Sequence, residues 1–200
     1  DKSSLSRSAI ASLKKAGNVV IVYDPNFPDE KLNELRIATF LSEFYQHDGP
    51  KKDFLSVVGR YGVKWPLREL SGVLVHELVG HGIQHLRKRL TYVREIDLEC
   101  EAYLYQEDAH QILKMDKKSN DMVIFRQSLE NHWCADFKSY MAQNAPEEMK
   151  LWDALNPDVH KLLKFFQAYV DKLKYDGVAA RAIDAAKELR ANGAAKKRQR

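Results

Sequence analysis

Residues 73–85 read V-L-V-H-E-L-V-G-H-G-I-Q-H, with three histidines, His76, His81 and His85, and one carboxylate, Glu77. The apolar residues around them, Val73, Leu74, Val75, Leu78 and Val79, point in every direction when placed on a helix. That pattern marks a helix buried all round rather than one lying on a surface. A buried histidine–glutamate pair is costly unless something compensates it. A divalent cation with a bound water compensates both groups, so a metal site is expected here.

The spacing has a structural consequence. The common zinc-peptidase signature H-E-x-x-H sets two histidines four apart on one helix face. Here His81 follows His76 by five. At ~100° per residue the two rings would stand ~140° apart on a regular helix, too far round to share one ion. A one-turn π-bulge absorbs the extra residue, and such bulges are frequent at functional sites. Gly80, which has no Cβ, makes the distortion cheaper. A rival pair of ligands lies on an unbulged face: His81 and His85 are spaced by four, with Glu77 four before His81, and that choice would leave His76 buried beside an unused Glu77.

The hexapeptide H-E-L-V-G-H, residues 76–81, resembles the H-E-x-x-G-H motif of the dipeptidyl-peptidase III family. More broadly the stretch is similar to the gluzincins, zinc peptidases whose third ligand is a glutamate on the following helix. The resemblance covers residues 76–82 and a weaker segment at 99–102. It implies a zincin-like domain that holds Zn²⁺ and hydrolyses peptide bonds in a peptide or protein substrate. His76 and His81 are then two ligands and Glu77 is the general base. The third ligand is a choice between Glu101 and Glu99. Glu101-Ala102, separated from His81 by the nineteen residues 82–100, is similar to the E-A segment of thermolysin-like gluzincins. Glu99-Cys100-Glu101-Ala102 is similar to the E-C-x-A part of the dipeptidyl-peptidase III second motif. Two residues apart, ~200° around a helix, the two carboxylates cannot both face the metal, and Glu101 is preferred. The alternative function is a silent zincin-like domain that holds a metal and serves an interaction.

Composition bounds the remainder. Two hundred residues at 44% hydrophobic and 10% aromatic suffice for one core-bearing domain. The expected class is α+β, mainly α: a single zincin-like domain over 1–192, with a metal-site core at 18–116 and a helical part at 117–192. Residues 193–200 form a basic tail. The net charge of +4 lies mostly in that tail, and a short basic end is ordinarily a solvated one. No nucleic-acid partner is therefore expected, nor a membrane span, since no run approaches ~18 apolar residues. The chain opens on Asp1, so a processed or truncated start is expected. Cys100 and Cys134 are expected as free thiols, with the compartment open between cytoplasm and export after processing.

In chain order, helices are expected at 4–16, 29–47, 67–89, 94–116, 119–143, 157–175 and 178–191. A buried strand is expected at 18–23. Residues 54–63 read as one or two strands kinked by Gly59 and Gly62, and as the candidate edge for pairing an extended substrate. The 94–116 helix carries Glu95, Asp97, Glu99, Glu101, Glu107 and Asp108. Tyr103, Tyr105 and His110 on it are candidate oxyanion donors, and Asp97 or Asp108 a candidate partner to orient a ligand histidine.

Overall fold

The computed structural model describes residues 3–28, 37–41 and 52–174. Helix α1 (Ser4–Ala16) is started by Ser3, whose hydroxyl accepts the Ser6 N–H at 2.8 Å, an N-cap. Gly17 follows the helix in an extended conformation and opens strand β1. Strands β1 (Gly17–Asp24), β2 (Ala38–Leu41) and β3 (Lys52–Gly59) make one small sheet in the order β1-β3-β2. β1 runs parallel to β3 from Gly17↔Lys52 to Asp24↔Gly59, and β2 antiparallel from Ala38↔Val58 to Leu41↔Leu55. The run Phe54–Val58 is buried on both faces, as a central strand should be.

The sheet corrects three expectations. β1 is a strand but not a buried one: Ile21 and Tyr23 are about half exposed. Its β-branched run set the extended conformation, while the position at the sheet's margin decided burial. The stretch 54–63 is not an edge; its strand portion is the middle of the sheet and ends at Gly59. The helix expected at 29–47 contains strand β2 at Ala38–Leu41, and its other residues, save Ile37, lie outside those described. β2 is the margin that lies beside the histidine motif.

Next comes one long helical rod in three parts: α2 (Leu67–Leu74), a π-helical segment Val75–His81, and α3 (Gly82–Leu86). Helix α4 (Glu95–Ile112) packs against it. α4 is buried along most of its length, and of its carboxylates Asp97, Glu101, Glu107 and Asp108 are buried while Glu95 is exposed. Asp97 accepts from Arg94 and Tyr169, Glu107 from Lys117, and Asp108 from Ser3.

The helix expected at 119–143 is broken into α5 (Asn120–Ser128), a second π-helical segment Leu129–Trp133, and α6 (Ala135–Asn144). After a short α7 (Lys150–Asp153), α8 is described over 159–174. The last expected helix, 178–191, and the basic tail lie outside the described residues. Cys100 and Cys134 are not free thiols: they form a disulfide that ties α4 to the start of α6. A separation of 34 residues in the chain gave no sign of it; the packing of α6 on α4 brings the two together.

Two apolar clusters flank α4. One joins α1, β3 and the histidine rod through Leu13, Phe54, Leu78, Val79 and Ile83, with Tyr105 from α4. The other joins α4 to the C-terminal helices through Leu104, Leu129, Phe137, Leu162 and Phe166. α4 thus holds a fixed position between two packed layers, which is what a rigid site requires. Among the described residues no helix is long and apolar enough to cross a membrane.

Candidate metal centre

The π-helical segment carries the motif. Its wider turn brings the rings of His76 and His81, five residues apart, to a centroid separation of 5.0 Å. Gly80 is where this segment meets α4. A Cβ there would lie 2.7 Å from both Cα and Cβ of Ala102, so only glycine permits the approach.

That approach decides the third member of the group. With Ala102 turned to the rod, α4 presents Glu99, Tyr103, Gln106 and His110 on the same side, at the three- and four-residue spacing of one helical face. Glu99 reaches both imidazoles: its Oε2 lies 3.2 Å from His76 Nε2 and its Oε1 3.4 Å from His81 Nε2. His76, His81 and Glu99 form a group that could hold a metal ion, with donor atoms all within 4.8 Å of one another. Glu101, the preferred ligand on sequence grounds, is elsewhere. It is buried on the opposite side of α4, in an ion pair with buried Arg89, which also donates to Gln167. The rival face fails on position as well. His85 packs its ring against Phe40 and Phe54, 6.1 and 5.9 Å between centroids, and is not in the group.

The donor set fits a four-coordinate cation. At ~2.1 Å from a tetrahedral zinc, neighbouring donors stand ~3.4 Å apart. The two nitrogen–oxygen separations, one to each oxygen of Glu99, are of that size, within a group whose donors all lie within 4.8 Å of one another. The outer partners are uneven. Gln84 Oε1 accepts from His81 Nδ1 at 2.9 Å, and the Gln84 amide donates to Leu98 O at 2.7 Å, fixing the ring from α4's first turn. His76 Nδ1 is buried with no hydrogen-bond partner among the described residues. Asp97 and Asp108, the expected orienting groups, are bonded to other residues. Gln84 was missed because an amide on the motif helix carries no distinctive spacing.

Glu77 stands beside the group without joining it. Its Oε2 lies 4.0 Å from His81 Nε2 and accepts the Phe40 N–H at 2.8 Å. Burial pushes its carboxyl above the usual carboxylate range, outweighing the two histidines and the Phe40 bond that pull it down. Glu99 runs the other way. Burial opposes ionisation, but hydrogen bonds from both histidines hold it well below that range. For His81, burial favours the neutral ring, yet the Glu99 bond and the Glu77 charge raise it overall.

Of the candidate oxyanion donors, Tyr103 is at the site. Its ring meets His76 edge-on at 4.4 Å and stacks on Trp133 at 5.2 Å. Burial, with Glu99 and Glu77 nearby, pushes its hydroxyl up to about 12, so it keeps its proton. Tyr105 is buried with the α1–β3 cluster. His110 lines a cavity next to the site.

Comparison of the chain with protein-family models, with curated proteins and with solved structures finds no match.

Proposed function

We propose that the protein is a zinc-dependent peptidase of gluzincin type, in which His76, His81 and Glu99 hold the ion and Glu77 is the general base. The observation that carries this reading is the π-helical turn Val75–His81, which lets two histidines five apart converge on Glu99. A regular helix avoids such a turn unless something requires it. Two imidazoles and one carboxylate suit zinc, and they leave the fourth position open that catalysis needs. Bound there, the ion would supply a Lewis acid that polarises the scissile carbonyl and acidifies water.

The chain's own groups do the rest. Glu77 takes a proton from the attacking water and returns it to the leaving amine, a role that suits a carboxyl raised toward neutrality. Phe40 N–H holds its Oε2 in place. Tyr103 donates its retained proton toward the developing oxyanion. β2 offers the margin for strand pairing. Ile37 O accepts from Gly59 N, so Ile37 faces β3 and, by strand alternation, Ala38 and Phe40 turn their backbone groups outward. The outward Ala38 groups and Phe40 C=O are set beside Glu77 to pair with an extended peptide.

Zinc content and peptide cleavage, measured on wild type and Glu77→Gln, test this reading. One zinc per chain in both, with cleavage only in wild type, is expected. A zinc-loaded wild type that cleaves nothing across a broad peptide library would overturn it and favour a metal-holding interaction domain.

A further inference from the structure

The cavity that His110 lines, about 480 Å³, opens beside the metal centre, and His76, Glu77 and Tyr103 are among its lining residues. It lies between α2, α4 and α5, with Ala38 of β2 at its rim. Its sides are apolar: Trp65, Val73, Met122 and Phe125. Its charged lining residues are all acidic, Glu69, Glu77 and Asp121, with no lysine or arginine among them. Among the cavity's lining side chains away from the catalytic group, Glu69 Oε2 and His110 Nδ1 are buried polar atoms without hydrogen-bond partners among the described residues. The His110 side chain is only 4% exposed. It fits because Gly72 faces it: a Cβ at Gly72 would stand 2.6 Å from His110 Nε2. The packing therefore reserves space for an imidazole and leaves one of its nitrogens unpaired.

We propose that this pocket receives a basic side chain of the substrate, lysine or arginine, from a residue flanking the scissile bond. The proposal rests on the peptidase reading and adds its substrate class. Apolar walls accept the methylene stem of such a side chain. Glu69 then meets its charged head, a charge-assisted contact in a partly dry site. Asp121, exposed at the start of α5, adds negative potential at the mouth. An aliphatic side chain would fill the same walls and leave Glu69 Oε2 unpaired, the arrangement by which a polar pocket rejects an apolar isostere. Burial, with Lys117 nearby, lowers His110 to about 4, so its ring is neutral and does not repel the cation.

The test uses zinc-loaded protein and internally quenched peptides that differ only at the two residues flanking one bond: lysine, arginine, norleucine or glutamate. At one of the two positions kcat/KM should be at least tenfold higher for lysine or arginine than for norleucine. Glu69→Gln should narrow that ratio about tenfold, and Asp121→Asn by less, with zinc content as the check on folding. Equal cleavage of norleucine peptides, or a ratio unchanged in Glu69→Gln, overturns the pocket assignment and leaves the peptidase reading standing. N-acetyl-lysine amide and N-acetyl-norleucine amide, titrated against the Trp65 indole N–H resonance, separate the two ideas. Lysine-selective binding that Glu69→Gln abolishes, in a protein that cleaves no peptide, supports the pocket and sinks the peptidase. No binding and no cleavage overturns both.

Discussion

Helix α4 carries two glutamates, Glu99 and Glu101, separated by one cysteine, and the fold uses them in opposite ways. Glu99 lies on the side that meets the histidine rod and touches two imidazoles. Glu101 lies on the far side, sealed against Arg89 with both side chains almost wholly buried. The first meets two neutralisable imidazoles that can themselves ligate a cation; the second is committed to the permanent charges of Arg89 and, at 3.7 Å, Arg87. Contact with cations is therefore not what marks Glu99 as the proposed ligand on this helix. What distinguishes it is convergence with other donors at a place where the backbone has been distorted to allow it.

Substitutions at these positions can break or sharpen the contrast. Glu99→Ala should lower zinc affinity by more than the ~10–100-fold that outer partners of a metal site contribute, while Glu101→Ala keeps one zinc per chain; equilibrium dialysis reads both. Glu77→Gln should cut kcat/KM by ~10²–10⁴ at unchanged zinc content, the range of a general base. Glu101→Ala should instead destabilise the fold by ~3–5 kcal/mol, because Arg89 is left buried without its partner. Urea midpoints of the zinc-free proteins measure this. Replacing Cys100 and Cys134 by serine should cost about 3–4 kcal/mol for a link across 34 residues, read by the same midpoints with and without reductant.

The smallest expected effect is one of pH, on the ligand side of α4. His110 is lowered to about 4, chiefly by burial and then by Lys117. An unfolded chain takes up this proton below ~6.5 while the folded one does not. The neutral ring's contribution is thus complete above pH 6.5 and is lost as pH falls toward 4. Between pH 7 and pH 4.5 the zinc-free wild type should lose ~2 kcal/mol more than His110→Gln. Equal losses would contradict the assignment of a neutral, buried ring.

Much of the site could be read in the chain. The five-residue step between His76 and His81, within an apolar helix, already demanded a widened turn. The choice between Glu99 and Glu101 could not be made from spacing, because it depends on which side of α4 meets Gly80. That is a packing fact carried by Ala102, which both candidate registers contain and so does not choose between them, and by Arg89, which belongs to neither. Spacing likewise misread the fold where tertiary position decides. Val20–Tyr23 has the composition of a core strand and lies at a margin. Ala38–Leu41 follows a helical pattern in sequence yet pairs with β3. The second π-helical segment, Leu129–Trp133, has no metal group among the described residues and was invisible in the sequence; it sets Trp133 against Tyr103 and delivers Cys134 to Cys100. A widened turn is therefore a sign of function only when donor atoms come with it.

The most direct test is a crystal structure of the zinc-loaded protein with anomalous data collected on both sides of the zinc edge. One peak within ~2.0–2.2 Å of His76 Nε2, His81 Nε2 and a Glu99 oxygen, with Glu101 still bound to Arg89, is the result predicted here. A peak at Glu101 or between His81 and His85, or no peak in protein saturated with zinc, would contradict it.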